Sequence, residues 1–217
     1  MRFMVDEIEV PAQINRLVIA GWTGRDANAV QHHIKELKAL GVTPPSQVPL
    51  FYMASNSLLV HLPEIEVLGE GTSGEVEPLL VKLEDVLFIG LGSDHTDRDL
   101  EAVSVAASKQ ACPKPVAERL WKFEEVAPHI DQLILSCEIE EDGQWTAYQQ
   151  GTLAGIRPLV ELSERVGLAD GQAMLCGTLG AIGGVRSASA YRMSLFDPVL
   201  NRILEFSYRV KPLPVVA

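Results

Sequence analysis

The chain has 217 residues, 47% hydrophobic and 22% charged, a globular composition with enough apolar mass for a sizeable core. Its 18 basic and 29 acidic residues leave a formal charge of −11, which repels polyphosphate and argues against nucleic acid or an anionic membrane surface as a partner. Cys112, Cys137 and Cys176 are widely spaced and form no CxxC pair, so neither a disulfide framework nor a zinc knuckle is indicated, and reduced thiols suit a cytoplasmic protein.

The first ten residues, MRFMVDEIEV, lack an apolar stretch suited to a signal peptide. Arg16–Ala20 reads as a short strand ending in a turn over 21–24. Asp26 can cap a helix over 27–40, whose Val30, Ile34, Leu37 and Leu40 make one apolar face, with Gly41 in the stop position. Short apolar runs follow from Val48 to Val67. Leu79–Val81 and Val86–Leu91 read as strands. The charged stretch Ser93–Glu101 leads into sequence expected to be helical to about Glu125, interrupted at Pro113 and Pro115.

Further on, Leu133–Ile139 and Trp145–Gln149 flank Asp142-Gly143, a strong hairpin dipeptide. A helix is expected over 158–166, with Pro158 in its first turn and Gly167 at its end. The uncharged run from Gly171 to Val185 is too short and too glycine-rich to span a bilayer. Tyr191, Met193 and Leu195 alternate, as do Leu204, Phe206, Tyr208 and Val210, giving two half-buried strands. The sum is an α+β protein dominated by antiparallel or mixed sheet. It lacks GxGxxG and a P-loop, which argues against a doubly wound nucleotide-binding fold.

Several constellations could carry chemistry. Glu75 and Glu77, at i and i+2 on a strand, point to one face and repel unless they reach water or share a cation. The same spacing at Glu7/Glu9 and Glu64/Glu66 shows that it also occurs on ordinary surface strands. Asp94, Asp97 and Asp99 follow the strand Val86–Leu91. Carboxylates there can ligate a hard cation such as Mg²⁺, Mn²⁺ or Ca²⁺, or Asp97 can cap a helix. His33 and Glu36 lie one helical turn apart, with His33 bordering the apolar face and His32 toward solvent. An imidazole oriented by a carboxylate suits a general base, although such pairs also occur simply as surface contacts. Lys109 precedes Cys112-Pro113, and the run from Gly177 to Gly184 follows Asp170-Gly171. Glycines there let backbone amides approach a ligand, and Thr178 adds a hydroxyl.

In this order the motifs resemble the fumarylacetoacetate hydrolase superfamily, and within it an uncharacterised bacterial branch. The series runs His33-Ile34-Lys35-Glu36, Pro49 to Ala54, Glu75-Val76-Glu77, Asp94 to Asp99, Lys109 before Cys112-Pro113, and Cys176-Gly177-Thr178 to Gly183. It covers roughly residues 16 to 185. Met53, Ala54 and Leu179 stand where the family pattern has Lys, Pro and Pro. Loss of the lysine removes one possible contact to an anionic substrate.

The resemblance implies one domain over 1–217, a mixed β-roll or β-sandwich with a few short helices and the lid helix of about 27–40. It implies a homodimer. Glu75, Glu77 and Asp94 would hold Mg²⁺ or Mn²⁺, with Ca²⁺ as a substitute in crystals. His33, oriented by Glu36, would activate water, and Lys109 would neutralise oxyanion charge. Thr178, Gly177 and Arg25 would bind a small carboxylate substrate. The expected activity is metal-dependent hydrolysis of a C–C bond in an acylpyruvate-like or related 2-oxo or 1,3-dioxo acid. Decarboxylation, isomerisation and hydration are alternatives on the same site. A non-catalytic, metabolite-binding dimer is a second reading, and a Cys112 nucleophile a third.

Overall fold

A computed structural model describes residues 1–39 and 44–216. Strands β1 (Arg2–Val5) and β2 (Ile8–Pro11) precede β3 (Arg16–Gly21) and helix α1 (Ala27–Ala39). Next come β4 (Leu50–Ala54), β5 (Leu59–Val60), β6 (Glu64–Leu68) and β7 (Thr72–Ser73). The long strands β8 (Val76–Leu83) and β9 (Val86–Ser93) lead to β10 (Thr96–Asp97), α2 (Arg98–Glu101) and α3 (Val105–Ala111). Then follow β11 (Lys114–Pro115), β12 (Trp121–Lys122) and α4 (Phe123–Val126). The chain closes with β13 (Ile134–Glu141), β14 (Gln144–Thr152), α5 (Leu159–Val166), β15 (Gln172–Leu175), β16 (Ala190–Asp197) and β17 (Arg202–Leu213).

Two sheets carry the architecture. One has the order β12-β9-β8-β15-β3-β4, the other β14-β13-β16-β17-β6. Both mix parallel and antiparallel neighbours: β15 runs parallel to β3, and β17 runs parallel to β6. The central strands of the first sheet, β9, β8, β15 and β3, are buried on both faces, which explains near-continuous apolar runs such as Leu79-Leu80-Val81. Leu80, Val18 and Met174 face a core completed by Leu135, Ile139, Tyr191 and Leu204 of the second sheet. Leu79, Val81, Leu17 and Leu175 face a second core beneath the β1–β2 hairpin, around Phe3 and Val5. Each of these fully buried Leu, Ile and Val side chains contributes roughly 1.5–3 kcal/mol relative to exposure. The second sheet alternates instead, with Tyr191, Met193 and Leu195 inward and Arg192 exposed.

Local signals explain most of the elements. Asp26 Oδ1 accepts the Asn28 and Ala29 amides at 2.8 and 3.2 Å, capping α1 as its sequence requires. The expected closure of that helix at Leu40 and Gly41 lies outside the described residues. Gly167 ends α5 in the left-handed conformation, φ 62°.

One expectation is corrected. Residues 112–122 are extended, not helical. Pro113 and Pro115 fix φ and remove two amide donors, so the segment satisfies its remaining amides across strands: Val116 N donates to Val60 O and Ala117 N to Leu91 O. Helical structure between Ser93 and Glu125 is confined to α2, α3 and α4.

Candidate metal centre

The β8–β9 ladder builds the site. Its register opposes Glu77 to Gly92 and Val76 to Ser93, so the beginning of β8 lies beside the end of β9. Asp94 is the next residue after β9, and its amide donates to Glu75 O at 2.9 Å. Glu75, Glu77 and Asp94 each thereby offer a carboxylate oxygen, and the three atoms lie within 4.8 Å of one another. Asp94, distant in sequence from the E-x-E pair, becomes its neighbour through one hairpin.

These carboxylates are held differently. Asp94 is fully buried, and its Oδ2 accepts from the Lys109 ammonium on α3. Its Oδ1 lies 3.2 Å from Lys114 Nζ but has no partner in hydrogen-bonding geometry. Burial would raise the Asp94 pKa, but the Lys109 and Lys114 charges outweigh it and bring it down to about 2. Glu77 is 2% exposed and accepts one backbone amide, Gly177 N, at 2.8 Å. Burial first, and then the Asp94 charge, pushes its pKa well above the ordinary carboxylate range, against the opposing pull of Lys109. Half-buried Glu75 pairs with Arg98 Nη2 at 3.3 Å.

Three oxygen donors at this separation suit a hard divalent cation. The orphaned Asp94 Oδ1 and the desolvated Glu77 carboxylate both gain from one, so the residues fit such an ion. Glu77 gains most, because both oxygens of Asp94 already face an ammonium.

Around the triad lies a shell of further polar side chains, of which the sequence pattern marks His95 and Arg98 only as members of the stretch Asp94–Asp99. Lys114 is completely buried between two prolines and donates to His95 O. Arg98 donates to Ser73 Oγ at 2.7 Å and to Glu101 Oε2 at 2.8 Å. His95 lies with Nδ1 2.9 Å from Tyr208 Oη and Nε2 2.8 Å from Thr72 Oγ1. Burial, and after it the Lys114 and Arg98 charges, pushes the His95 pKa down to about 3, so the ring is neutral. Apart from Arg98–Glu101, three residues apart on α2, no spacing rule reports these contacts, because they join residues up to 113 positions apart.

The remaining candidates fall as follows. Lys109 joins the triad. Gly177 takes φ 94°, and a Cβ there would lie 1.7 Å from Thr23 Oγ1, so only glycine lets the amide reach Glu77. Thr178 Oγ1 donates to Val76 O and accepts from Gln149 Nε2, each at 2.7 Å. Arg25 is turned to Asp131 in a two-pronged pair, both contacts 2.6 Å, and also donates to Ile156 O. The backbone of α1 carries His33 and Glu36, whose side chains lie outside the described residues. Asp97 caps α2 by accepting the Leu100 amide, which is the capping role considered for it. Cys112 is 1% exposed and its thiol is pushed up to about 11 by burial, which removes the activated-nucleophile reading.

Comparisons with known proteins agree with the architecture. A protein from Oleispira antarctica provisionally described as a fumarylacetoacetate isomerase/hydrolase superposes with TM-score 0.69 at 18% identity, covering 97% of this chain and 100% of that one. A 2-keto-3-deoxy-D-arabinonate dehydratase complexed with magnesium and 2,5-dioxopentanoate gives 0.65 at 14% identity, over 98% and 79%. The 4-oxalocrotonate decarboxylase of Pseudomonas putida G7, complexed with calcium and acetate, gives 0.59 at 15%, over 93% and 78%. No curated protein matches the sequence. A family model described as a protein of unknown function, DUF2848, matches residues 20–208. The chain therefore belongs to the DUF2848 family and has the fold of the fumarylacetoacetate hydrolases.

Proposed function

We propose that the protein is a metal-dependent hydrolase that cleaves a C–C bond in an acylpyruvate-like or other 2-oxo or 1,3-dioxo acid. The observation that carries this reading is the convergence of Glu75, Glu77 and Asp94, two of them buried, with burial penalising the charge of Glu77. Support also comes from the magnesium and calcium complexes among the solved relatives. Mg²⁺ or Mn²⁺ is the cofactor we assign. When bound, the cation supplies Lewis-acid polarisation to a chelating pair of substrate oxygens.

The protein's own groups do the rest. Lys109, buried against Asp94, can share its ammonium protons with an oxyanion or a substrate carboxylate. Gly177 fixes Glu77 through its amide. Thr178 serves a substrate carboxylate when its hydroxyl proton turns away from Val76 O. His33, with Glu36 beside it on α1, is the base we assign to take a proton from the attacking water. Arg25 reaches a substrate only by leaving Asp131, so we place it at the edge of the set. The partners are a small carboxylate substrate and a second copy of the chain.

Dehydration or decarboxylation on the same residues is the second reading, favoured by the names of two solved relatives. A screen of acylpyruvates and 2-oxo acids, with and without Mg²⁺ or Mn²⁺, tests both. The expected result is metal-dependent release of two carbonyl-derived fragments, with one water consumed. Release of CO₂ or loss of water instead selects the second reading. No turnover with either metal overturns catalysis and leaves a metabolite-binding protein. His33→Ala abolishes turnover if the base assignment holds.

A further inference from the structure

The triad is not the end of the site. A cleft of about 290 Å³, open to solvent on one side, lies between Trp22, Pro44, Pro45, Leu50, Tyr52 and Val105. Two contacts tie it to the metal centre. Tyr52 lines the cleft, and its ring centroid lies 5.9 Å from Lys109 Nζ. Val105 and Lys109 lie four residues apart on α3, hence on one face of that helix. Tyr52 and α3 thus serve both the wall of the cleft and the surroundings of Lys109.

Its walls are specific. Trp22 has φ 60°, a left-handed backbone that bulky residues rarely adopt and that persists only where surrounding structure enforces it. The indole is held by Nε1 donating to Tyr52 Oη at 3.4 Å, so the two rings act together. Among the described residues lining the cleft the one charged side chain is Glu101, an acid already paired with Arg98 at 2.8 Å. A distal carboxylate would meet no cation among those lining residues. A flat apolar group would meet two aromatic rings, two prolines, Leu50 and Val105 on one side, with the hydroxyls of Ser46 and Ser104 at the rest of the wall.

Resting on the hydrolase reading above, we infer that Trp22 and Tyr52 form an acyl-side subsite, selecting 2-oxo acids whose end remote from the metal-chelating oxygens is a neutral aryl or bulky apolar group. This assigns Trp22, a residue outside every motif of the sequence, as a specificity determinant.

Three chelators with a common oxamate head test the assignment, titrated calorimetrically into the full chain in Mg²⁺ buffer. Oxamate has no tail, N-phenyloxamate a neutral aryl tail, and N-oxalylglycine an anionic one. N-phenyloxamate should bind about tenfold or more tighter than oxamate, the range one buried apolar group supplies, and N-oxalylglycine no tighter than oxamate. Trp22→Gly suits the left-handed backbone and so keeps the fold, and it should bring the phenyl-to-oxamate affinity ratio near one. If oxamate binds but the phenyl group adds nothing, or N-oxalylglycine binds tightest, the subsite is wrong and the hydrolase reading stands. If no chelator binds, the hydrolase reading falls and the subsite with it.

Discussion

Lys114 Nζ lies 3.2 Å from the Asp94 oxygen that Lys109 leaves free, so one buried carboxylate faces two ammonium groups. Lys109 and Lys114 thus face Asp94 and Arg98 faces Glu75, while Glu77 pairs with no cation among the described residues. Burial and the neighbouring Lys109 charge disfavour the charged form of Lys114 and outweigh Asp94, so its pKa is lowered.

Removing Lys114 should therefore act in opposite senses on the metal-free and metal-loaded protein. Lys114→Met removes one of the two ammonium groups facing Asp94 and the donor to His95 O, and should destabilise the metal-free protein by about 1–3 kcal/mol. It also removes a positive charge close to the bound ion and should raise Mg²⁺ affinity about tenfold or more. Urea unfolding in EDTA and in Mg²⁺ measures both effects, with the variant recovering part of its loss in Mg²⁺.

Glu77→Gln separates stability from function. The glutamine oxygen can still accept the Gly177 amide, while the desolvated charge disappears. The metal-free protein should gain on the order of 1 kcal/mol, because a buried ionised group without a dedicated cation is costly. Mg²⁺ affinity should fall about 100-fold with one of three charged ligands neutralised. Thermal unfolding with EDTA and calorimetry with Mg²⁺ read the two effects.

His95 sets an acid limit. Its folded pKa, about 3, lies below the unfolded value near 6.5, so the fold holds the neutral ring. The stability it contributes is complete above pH 6.5 and is lost as pH falls from there toward 3, by up to about 1.4 kcal/mol per pH unit. Glu77 opposes this, since its raised pKa makes the fold bind a proton more readily as pH falls. Comparing the stability profiles of wild type and His95→Gln isolates the histidine: the variant should lose less between pH 6.5 and 4.

Gly177→Ala tests the turn that delivers an amide to Glu77. The new Cβ would collide with Thr23 Oγ1, and the left-handed backbone adds strain. A loss of more than about 2 kcal/mol on chemical unfolding is expected, with weaker Mg²⁺ binding in whatever folded protein remains.

What could be read from the sequence follows a physical divide. Period-2 alternation revealed β16 and β17, and Asp142-Gly143 revealed the β13–β14 turn, because both signals are local. Two similar turns were invisible. Asp6-Glu7 and Glu84-Asp85 take positive φ at both central positions without any glycine to mark them. The triad was legible through motif order, and the β8–β9 register explains why those residues meet. Lys114 was not legible: a lysine between two prolines reads as exposed loop, and only the tertiary fold buries it on Asp94. Trp22 was hidden for a similar reason, since its backbone and its contact to Tyr52 are set by packing of β3 against β4.

The central claim is that Glu75, Glu77 and Asp94 hold a divalent ion that presents a dioxygen chelate site. Titration calorimetry of oxalate into the wild-type chain, with and without Mg²⁺, tests it most directly. Saturable oxalate binding that requires Mg²⁺ and disappears in Asp94→Asn and Glu77→Gln is expected. Oxalate binding that is absent with Mg²⁺, or unchanged in both variants, would contradict it.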